Sequence, residues 1–222
     1  MSHMAESKVQ ITDIKALFEA IKTGCPELEL RKDNKYRWYG RSVGDAAPAA
    51  IYQLQAFISL VKQGVDIHKL AKEKGVQIPA IKDIEKSPLS LADINKLSEL
   101  PEFKKAFDEQ NAKIGNDAEF VIGYKKGHKL HGQAYEIGVV PHPTKQGSYT
   151  LMADYWSNGQ GLFSAEGLGE IKNDSRTGTV DWGQKLKQRY TILAMKNKAE
   201  SLGKKVTKME KLPDGTIQME VE

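Results

Sequence analysis

Cysteine is almost missing from this chain: Cys25 stands alone, so no internal disulfide can form and stability must come from a packed core. Its place just after Gly24, at a predicted helix end and without a matched base beside it, reads as a bystander thiol. Long apolar runs are missing too. None approaches the roughly 20 residues that cross a bilayer, and the opening "MSHMAESKVQ" lacks the apolar stretch of a signal peptide. The chain is therefore expected to stay where it is made, in the cytoplasm, with no membrane partner. Among the histidines (His3, His68, His128, His131 and His142) only "GHKLHG" sets two close together, and a metal centre needs three or four ligands. The glycine-rich "SNGQGLFSAEGLGE" has neither the GxxxxGK[ST] order of a phosphate cradle nor the GxGxxG spacing of a dinucleotide turn. No metal, no cofactor and no catalytic set is expected from these patterns.

What is present suits a folded domain. With 222 residues, of which 40% are hydrophobic, the chain can bury a real core. The net charge of +4 is mild, but its distribution is uneven: from Gln184 to Lys211 nine lysines and arginines face two glutamates. Such a segment favours contact with acidic partners.

Hydrophobic spacing outlines the elements. After a Thr12 N-cap, Ile14, Leu17, Phe18 and Ile21 fall on one face of a helix that Gly24 ends. "ELELR" (Glu27 to Arg31) alternates like a half-buried strand, and "KYRWYG" is predicted to continue the sheet as a hairpin after the Asp33-Asn34 turn. From about Ala46 to Gly115 the pattern turns helical, punctuated by Pro79, Pro88 and Pro101, and reads as an insertion at 46–115 between the halves (1–45 and 116–222) of an α+β core. "YEIGVV" puts Tyr135, Ile137 and Val139 on one strand face. "YTLMADYW" puts Tyr149, Leu151, Ala153 and Tyr155 on one face and Met152, Asp154 and Trp156 on the other, with "PHPTKQGS" as the turn between. A helix from Gln184 to Leu202 follows, which Asp181 is placed to cap, and "KVTKMEKL" with "TIQMEVE" forms a terminal hairpin. The expected fold is α+β: an antiparallel sheet with the Thr12 and Gln184 helices on one face, plus the inserted helical subdomain.

Two groups are candidates for binding. "KYRWYGRSVGD" interleaves Arg37, Trp38, Tyr39 and Arg41, which suits base stacking beside phosphate contacts and equally suits a strand burying its aromatic face. On the basic helix, 100° per residue sets Lys185, Arg189 and Lys196 on one flank and Lys187 and Lys198 on the other, with apolar residues on the two faces between. Solvated lysines beside a buried helix explain that pattern as well as a phosphate-tracking surface does. Asp154 and Trp156 complete the binding candidates.

Taken together and in order, "RWYGRSVGD", "YEIGVV", "YTLMADYW", "LKQRY" and "LPDGTIQMEV" resemble the family of unknown function named after hypothetical chloroplast open reading frame thirty-five, and most of all its phage-encoded branch. The similarity covers about residues 1 to 45 and 118 to 222. The chain departs from the family in the long helical block and in "GYKKGHKLHGQ", where related chains often carry a Cys and a His. The resemblance implies a small α+β protein, the host cytoplasm as its location if phage-encoded, and no transferable catalytic residue.

Three functional classes follow in order. The first is a non-enzymatic protein that docks on a host or viral protein partner through the inserted helices. The second is a nucleic-acid-binding protein using Arg37, Trp38, Tyr39 and Arg41 with Lys185, Arg189 and Lys196. The third is an enzyme on a small phosphorylated or nucleotide substrate with Asp154, His131 or His142 as acid or base. The sequence sets no oligomeric state.

Overall fold

In a computed structural model, residues 3–38, 48–155, 168, 172–174, 179–181, 183–211 and 217–222 are described. Strands β1 (His3–Ile11), β2 (Leu28–Lys32), β3 (Phe120–Tyr124), β4 (Ile137–Pro141) and β5 (Tyr149–Tyr155) form one sheet in the order β1-β5-β4-β3-β2, every pair antiparallel. Two small hairpins join β6 (Lys172–Asp174) to β7 (Thr179–Asp181) and β8 (Val206–Lys211) to β9 (Ile217–Val221). The helices are α1 (Ile14–Gly24), α2 (Ala50–Lys62), α3 (Ile67–Glu73), α4 (Leu91–Leu97), α5 (Pro101–Asn111) and α6 (Gln184–Ser201).

The period of two along each strand divides the sheet between two cores. On the first face Leu28, Ile122, Tyr124, Ile137, Val139, Leu151 and Ala153 pack with Ala16, Leu17, Ala20 and Ile21 of α1 and Leu186 and Tyr190 of α6. On the second face Val121, Val140 and Met152 pack with Tyr36, Ile51, Tyr52, Ile114 and Ala118. A third cluster lies wholly within the helical segment, around Phe57, Phe103 and Phe107, whose rings meet pairwise at centroid separations of 5.9 to 6.2 Å. Helix α2 serves both of the last two, turning Ile51 and Tyr52 to the sheet and Leu54, Phe57 and Leu60 to the helices. The α+β architecture with α1 and α6 together on one sheet face is thus the one that the alternation predicts.

Helix α6 holds α1 at both ends. The Tyr190 hydroxyl accepts from the Thr12 amide at 2.7 Å and the Asp13 amide at 3.3 Å, and Asn197 donates to the Asp13 carboxylate at 2.8 Å. Arg189 donates to the Gly24 carbonyl at 3.0 Å, placing a cation at the negative end of the helix dipole.

The helical segment is joined to the sheet by polar contacts. His142, its side chain closed off from solvent in the β4–β5 turn, meets Glu85 at 2.6 Å through Nε2, and Lys145 reaches the same carboxylate at 2.9 Å. Nδ1 of His142 accepts from the amides of Thr144 and Lys145, so the ring carries its proton on Nε2 and donates it to Glu85. Within the segment, the buried Gln53 side chain donates to the carbonyls of Pro48 and Leu89 and accepts from the Leu89 amide at 2.8 Å. Removing either partner of such a buried bond leaves an unpaired polar group, which costs about 1–3 kcal/mol.

Several local expectations are corrected. The cap of α1 is Asp13, whose carboxylate accepts from the Ala16 amide at 2.9 Å, because Thr12 is turned toward Tyr190. The buried stripe of α1 is Ala16, Leu17, Ala20 and Ile21, and Phe18 is 46% exposed. The segment from Lys35 to Trp38 is not a strand: β2 pairs with β3 instead. β1, which the polar "HMAESKVQI" conceals, pairs with β5. Asp181 lies in β7, and the residue before α6 is Gly183 at φ 69°, with no side-chain cap. Lys187, expected on a solvated flank, is only 7% exposed beside Leu186 and Tyr190. Cys25 is buried, and desolvation pushes its thiol pKa upward, which suits an unreactive thiol.

Candidate functional site

The segment after β2 lies across the second face of the sheet, and glycines make room for it. Asp33 turns the chain by accepting from the Lys35 amide at 3.0 Å, an Asx turn. The Tyr36 amide then donates to the Gly115 carbonyl at 3.1 Å, and the Arg37 amide to the Glu136 carboxylate at 2.9 Å. A side chain on Gly138 of β4 would place its Cβ 2.5 Å from the Tyr36 ring, and one on Gly123 of β3 would lie 2.6 Å from Arg31 and 2.8 Å from Glu136. At Gly115, with φ +85°, a Cβ would collide with the Trp38 indole. The backbone there needs glycine for its dihedral as well as for the space.

Tyr36, 3% exposed, brings its hydroxyl to 3.4 Å from that of Tyr52. Burial pushes both phenols above their ordinary pKa, and the nearby Asp117 adds to the rise in each. Asp154, 1% exposed on β5, belongs to the same face and acts electrostatically on Tyr36. Burial likewise raises the Asp117 carboxyl. Hydrogen bonding from the Tyr52 hydroxyl, the charge of Lys113 and hydrogen bonding from the Tyr36 hydroxyl ease that rise.

Asp117 opens toward a groove of about 430 Å³ between α2, α5 and the β4–β5 turn, lined also by Gln55, Ile58, Ser59, Lys62, Lys113 and Pro143. Gln55 follows Tyr52 by three residues, so both lie on the same side of α2, and its Oε1 is a buried acceptor without a partner. Among the described residues, the buried side-chain atoms without a partner in strict hydrogen-bond geometry are Gln55 Oε1, the two Asp117 oxygens and Nη1 of Arg31. A native interior satisfies nearly all such groups. Gln55 Oε1 is an exception, and it borders this groove.

A second hollow, also of about 430 Å³, is lined by Arg31, Lys35, Tyr36, Arg37, His131, Gly132 and Glu136. Arg31 is paired with Glu136 at 3.0 Å, and Nδ1 of His131 lies 2.7 Å from the Tyr124 carbonyl. His128 stacks on Tyr124 with ring centroids 4.1 Å apart.

The structure separates the two groups of binding candidates. Arg37 is exposed and Trp38 half-buried on the second face of the sheet. Lys185, Arg189 and Lys196 ride on α6, which packs on the first face. Of these three, Arg189 is partly buried and bound to the Gly24 carbonyl, while Lys196 lies 3.8 Å from Glu200. Tyr39, Arg41 and Trp156 lie outside the described residues. Of the proposed acids and bases, His142 is committed through both ring nitrogens and His131 sits in the cationic hollow. Gln55 and Asp117 were not singled out by spacing. The available signal was a pair of glutamines inside the apolar run "IYQLQAF", of which Gln53 makes buried contacts to Pro48 and Leu89.

Asp117 makes stability depend on pH in a defined direction. A raised folded pKa means that the native state binds its proton more readily than the unfolded chain, so the desolvation cost is present at high pH and relieved as pH falls through the raised value. Asp117→Asn removes the charge and with it the desolvation cost. The variant is expected to be more stable than the wild type by about 1–2 kcal/mol at about pH 8. The gap should close toward about pH 4, where carboxylates titrate in unfolded chains. Paired thermal melts at the two pH values check this, and a variant less stable at the higher pH would show that the carboxylate is paired.

Set against protein-family models, curated proteins and solved structures, the chain matches none of them.

Proposed function

We propose that the chain is a non-enzymatic interaction protein that docks a protein partner through its helical segment, with the groove between α2, α5 and the β4–β5 turn as the receiving site. The observation that supports this reading is the groove itself, bordered by Gln55 Oε1, a buried acceptor without a partner, and by the Asp117 carboxyl, which burial raises. Burying such an acceptor unpaired is costly, and a partner that donates to it recovers the cost on binding.

Site-specific photo-crosslinking tests it. A benzophenone side chain at Lys62, on the groove rim, is expected to trap one partner band in a lysate of the native cell. The same group at Lys205, beside the β8–β9 hairpin, is expected to trap none. Equal bands from both positions, or none from Lys62, would overturn the reading.

Nucleic-acid binding is a second reading, favoured by the hollow that gathers Arg31, Lys35, Arg37 and His131. It draws on Arg37 and Trp38 without α6, because the sheet stands between them.

A further inference from the structure

Strand β2 ends the main sheet, and the ladder to β3 fixes which of its backbone groups face outward. Lys125 donates to the Glu27 carbonyl at 3.0 Å and Asp33 to the Glu119 carbonyl at 3.3 Å. With Leu30 opposite Ile122, Glu29 and Arg31 therefore direct their amides and carbonyls to β3. Leu30 and Lys32 direct theirs away from the sheet, as does the Leu28 carbonyl, while the Leu28 amide donates to the Cys25 carbonyl at 2.9 Å. Among the described residues nothing pairs with that outer row. The opposite edge differs: β1 breaks its register between Glu6 and Gln10, an irregularity of the kind that blunts an edge.

Beside the open edge, on the first face of the sheet, lies a groove of about 570 Å³ whose apolar lining is Ile14 and Phe18 of α1, Leu30 of β2 and Phe120 of β3. Phe18 is the side chain that the buried stripe of α1 leaves outside. A regular strand edge with apolar surface along it is the form that receives an added strand.

The charges of "LELRK" name that strand. A second copy of β2, laid antiparallel about a two-fold axis, can be centred on any residue from Leu28 to Lys32. Centring on Glu29, Arg31 or Lys32 sets that charge against its own copy, and centring on Leu28 sets Glu27 against Glu29. Like charges directly opposite are destabilising. Centring on Leu30 instead places Glu29 opposite Arg31 of the second copy, Arg31 opposite its Glu29, and Leu28 opposite its Lys32. In that register Leu30 exchanges both backbone hydrogen bonds with its copy, and Lys32 donates to the free Leu28 carbonyl. The two Leu30 side chains then share the first face beside Phe18. Like charges meet only beyond the strand ends, where Glu27 faces Asp33, and Asp33 is held by Arg31 at 3.4 Å.

We infer that the chain forms a two-fold homodimer through β2, centred on Leu30, which joins the two sheets into one. Charges on an edge strand ordinarily deter pairing; here Glu29 and Arg31 deter every register but one. The surface lies apart from the groove between α2 and α5, so the inference stands whether or not the docking reading does.

Sedimentation equilibrium of the full chain is expected to show a dimer with a dissociation constant on the order of 10 μM. Glu29→Lys, which sets a lysine against Arg31 of the copy, should weaken association at least about tenfold and leave the melt of the dilute monomer unchanged. Disulfide trapping reads the register. Cys25 is buried, so Leu30→Cys supplies the accessible thiol and should cross-link to its copy on mild oxidation, because a hydrogen-bonded antiparallel pair holds its Cα atoms about 5.5 Å apart. Lys32→Cys should not, since four residues along the pair separate it from its own copy by more than about 10 Å. Should Leu30→Cys unfold the chain, Glu29→Lys still decides. A chain that stays monomeric at about 200 μM, a dimer unaffected by Glu29→Lys, or equal trapping at Lys32→Cys would each overturn the inference. A strand from another protein on this edge would appear as the first of those outcomes.

Discussion

Phe57→Ala is expected to cost about 3–5 kcal/mol and to lower the melting temperature of the whole protein, as large-to-small changes at buried aromatics do. Phe57 is fully buried in α2 and meets Phe103 at 6.1 Å and Phe107 at 5.9 Å, both edge to face. Each such pair adds about 0.5–1.5 kcal/mol beyond area, so truncation loses two pairings as well as filling. The effect should not stop at the helices. Five and six residues before Phe57, Tyr52 and Ile51 of the same helix are buried against the sheet, and Glu85 of the helical segment is tied to His142 of the β4–β5 turn. A loosened α2 therefore disturbs both cores. Melts followed by far-ultraviolet circular dichroism and by tryptophan fluorescence should shift together, by about 10 °C for a chain of this size. Separate transitions, with the sheet surviving the helices, would show instead that residues 46–115 form a subdomain folding on its own.

The parts of the fold legible in the sequence are those whose period is strong and whose partners are near. "YEIGVV" and "YTLMADYW" alternate cleanly and are joined by a short turn, and the structure pairs them as β4 and β5 with Ile137 opposite Ala153 and Val139 opposite Leu151. The proline-punctuated helices between β2 and β3, α6 and the terminal hairpin follow for the same reason. Non-local pairing was not legible. The turn at Asp33 is real, but β2 finds its partner in β3, with Leu30 opposite Ile122, and nothing in "ELELR" points so far along the chain. A local turn signal cannot tell a hairpin from a chain that turns onto the face of a sheet.

The clue to the second possibility was glycine. "FVIGY" and "YEIGVV" each carry one in mid-strand, where it weakens the strand unless something approaches closely. Here Arg31 with Glu136 lies against Gly123, and Tyr36 lies against Gly138. The groove between α2 and α5 was harder to foresee, since Asp117 sits in an irregular stretch after α5 and Gln55, which also lines it, comes from more than sixty residues earlier. Only the fold brings both side chains to one groove.

Tyr36→Ala decides what the aromatic stretch is for. Its ring covers Gly138 with closest approaches of 2.5 to 2.8 Å to an added Cβ, it is 3% exposed, and its hydroxyl faces Tyr52. Truncation opens a cavity over β4 and removes the Tyr36 partner of the Tyr52 hydroxyl, so a loss of about 3–5 kcal/mol is expected. Tyr36→Phe keeps the ring and should cost only about 0.5–1.5 kcal/mol, because the 3.4 Å contact between hydroxyls is long. Gly138→Ala should cost about 1–3 kcal/mol by overpacking against the same ring. Combined with Tyr36→Ala, however, the new methyl enters space already vacated. The double variant should therefore be more stable than the sum of the single losses predicts by at least about 0.5 kcal/mol, the signature of residues in contact. Simple additivity would place Tyr36 away from β4. A Tyr36→Ala protein with an unchanged melt and a weakened affinity for single-stranded DNA would give the ring to base stacking instead, worth about 1–3 kcal/mol per base.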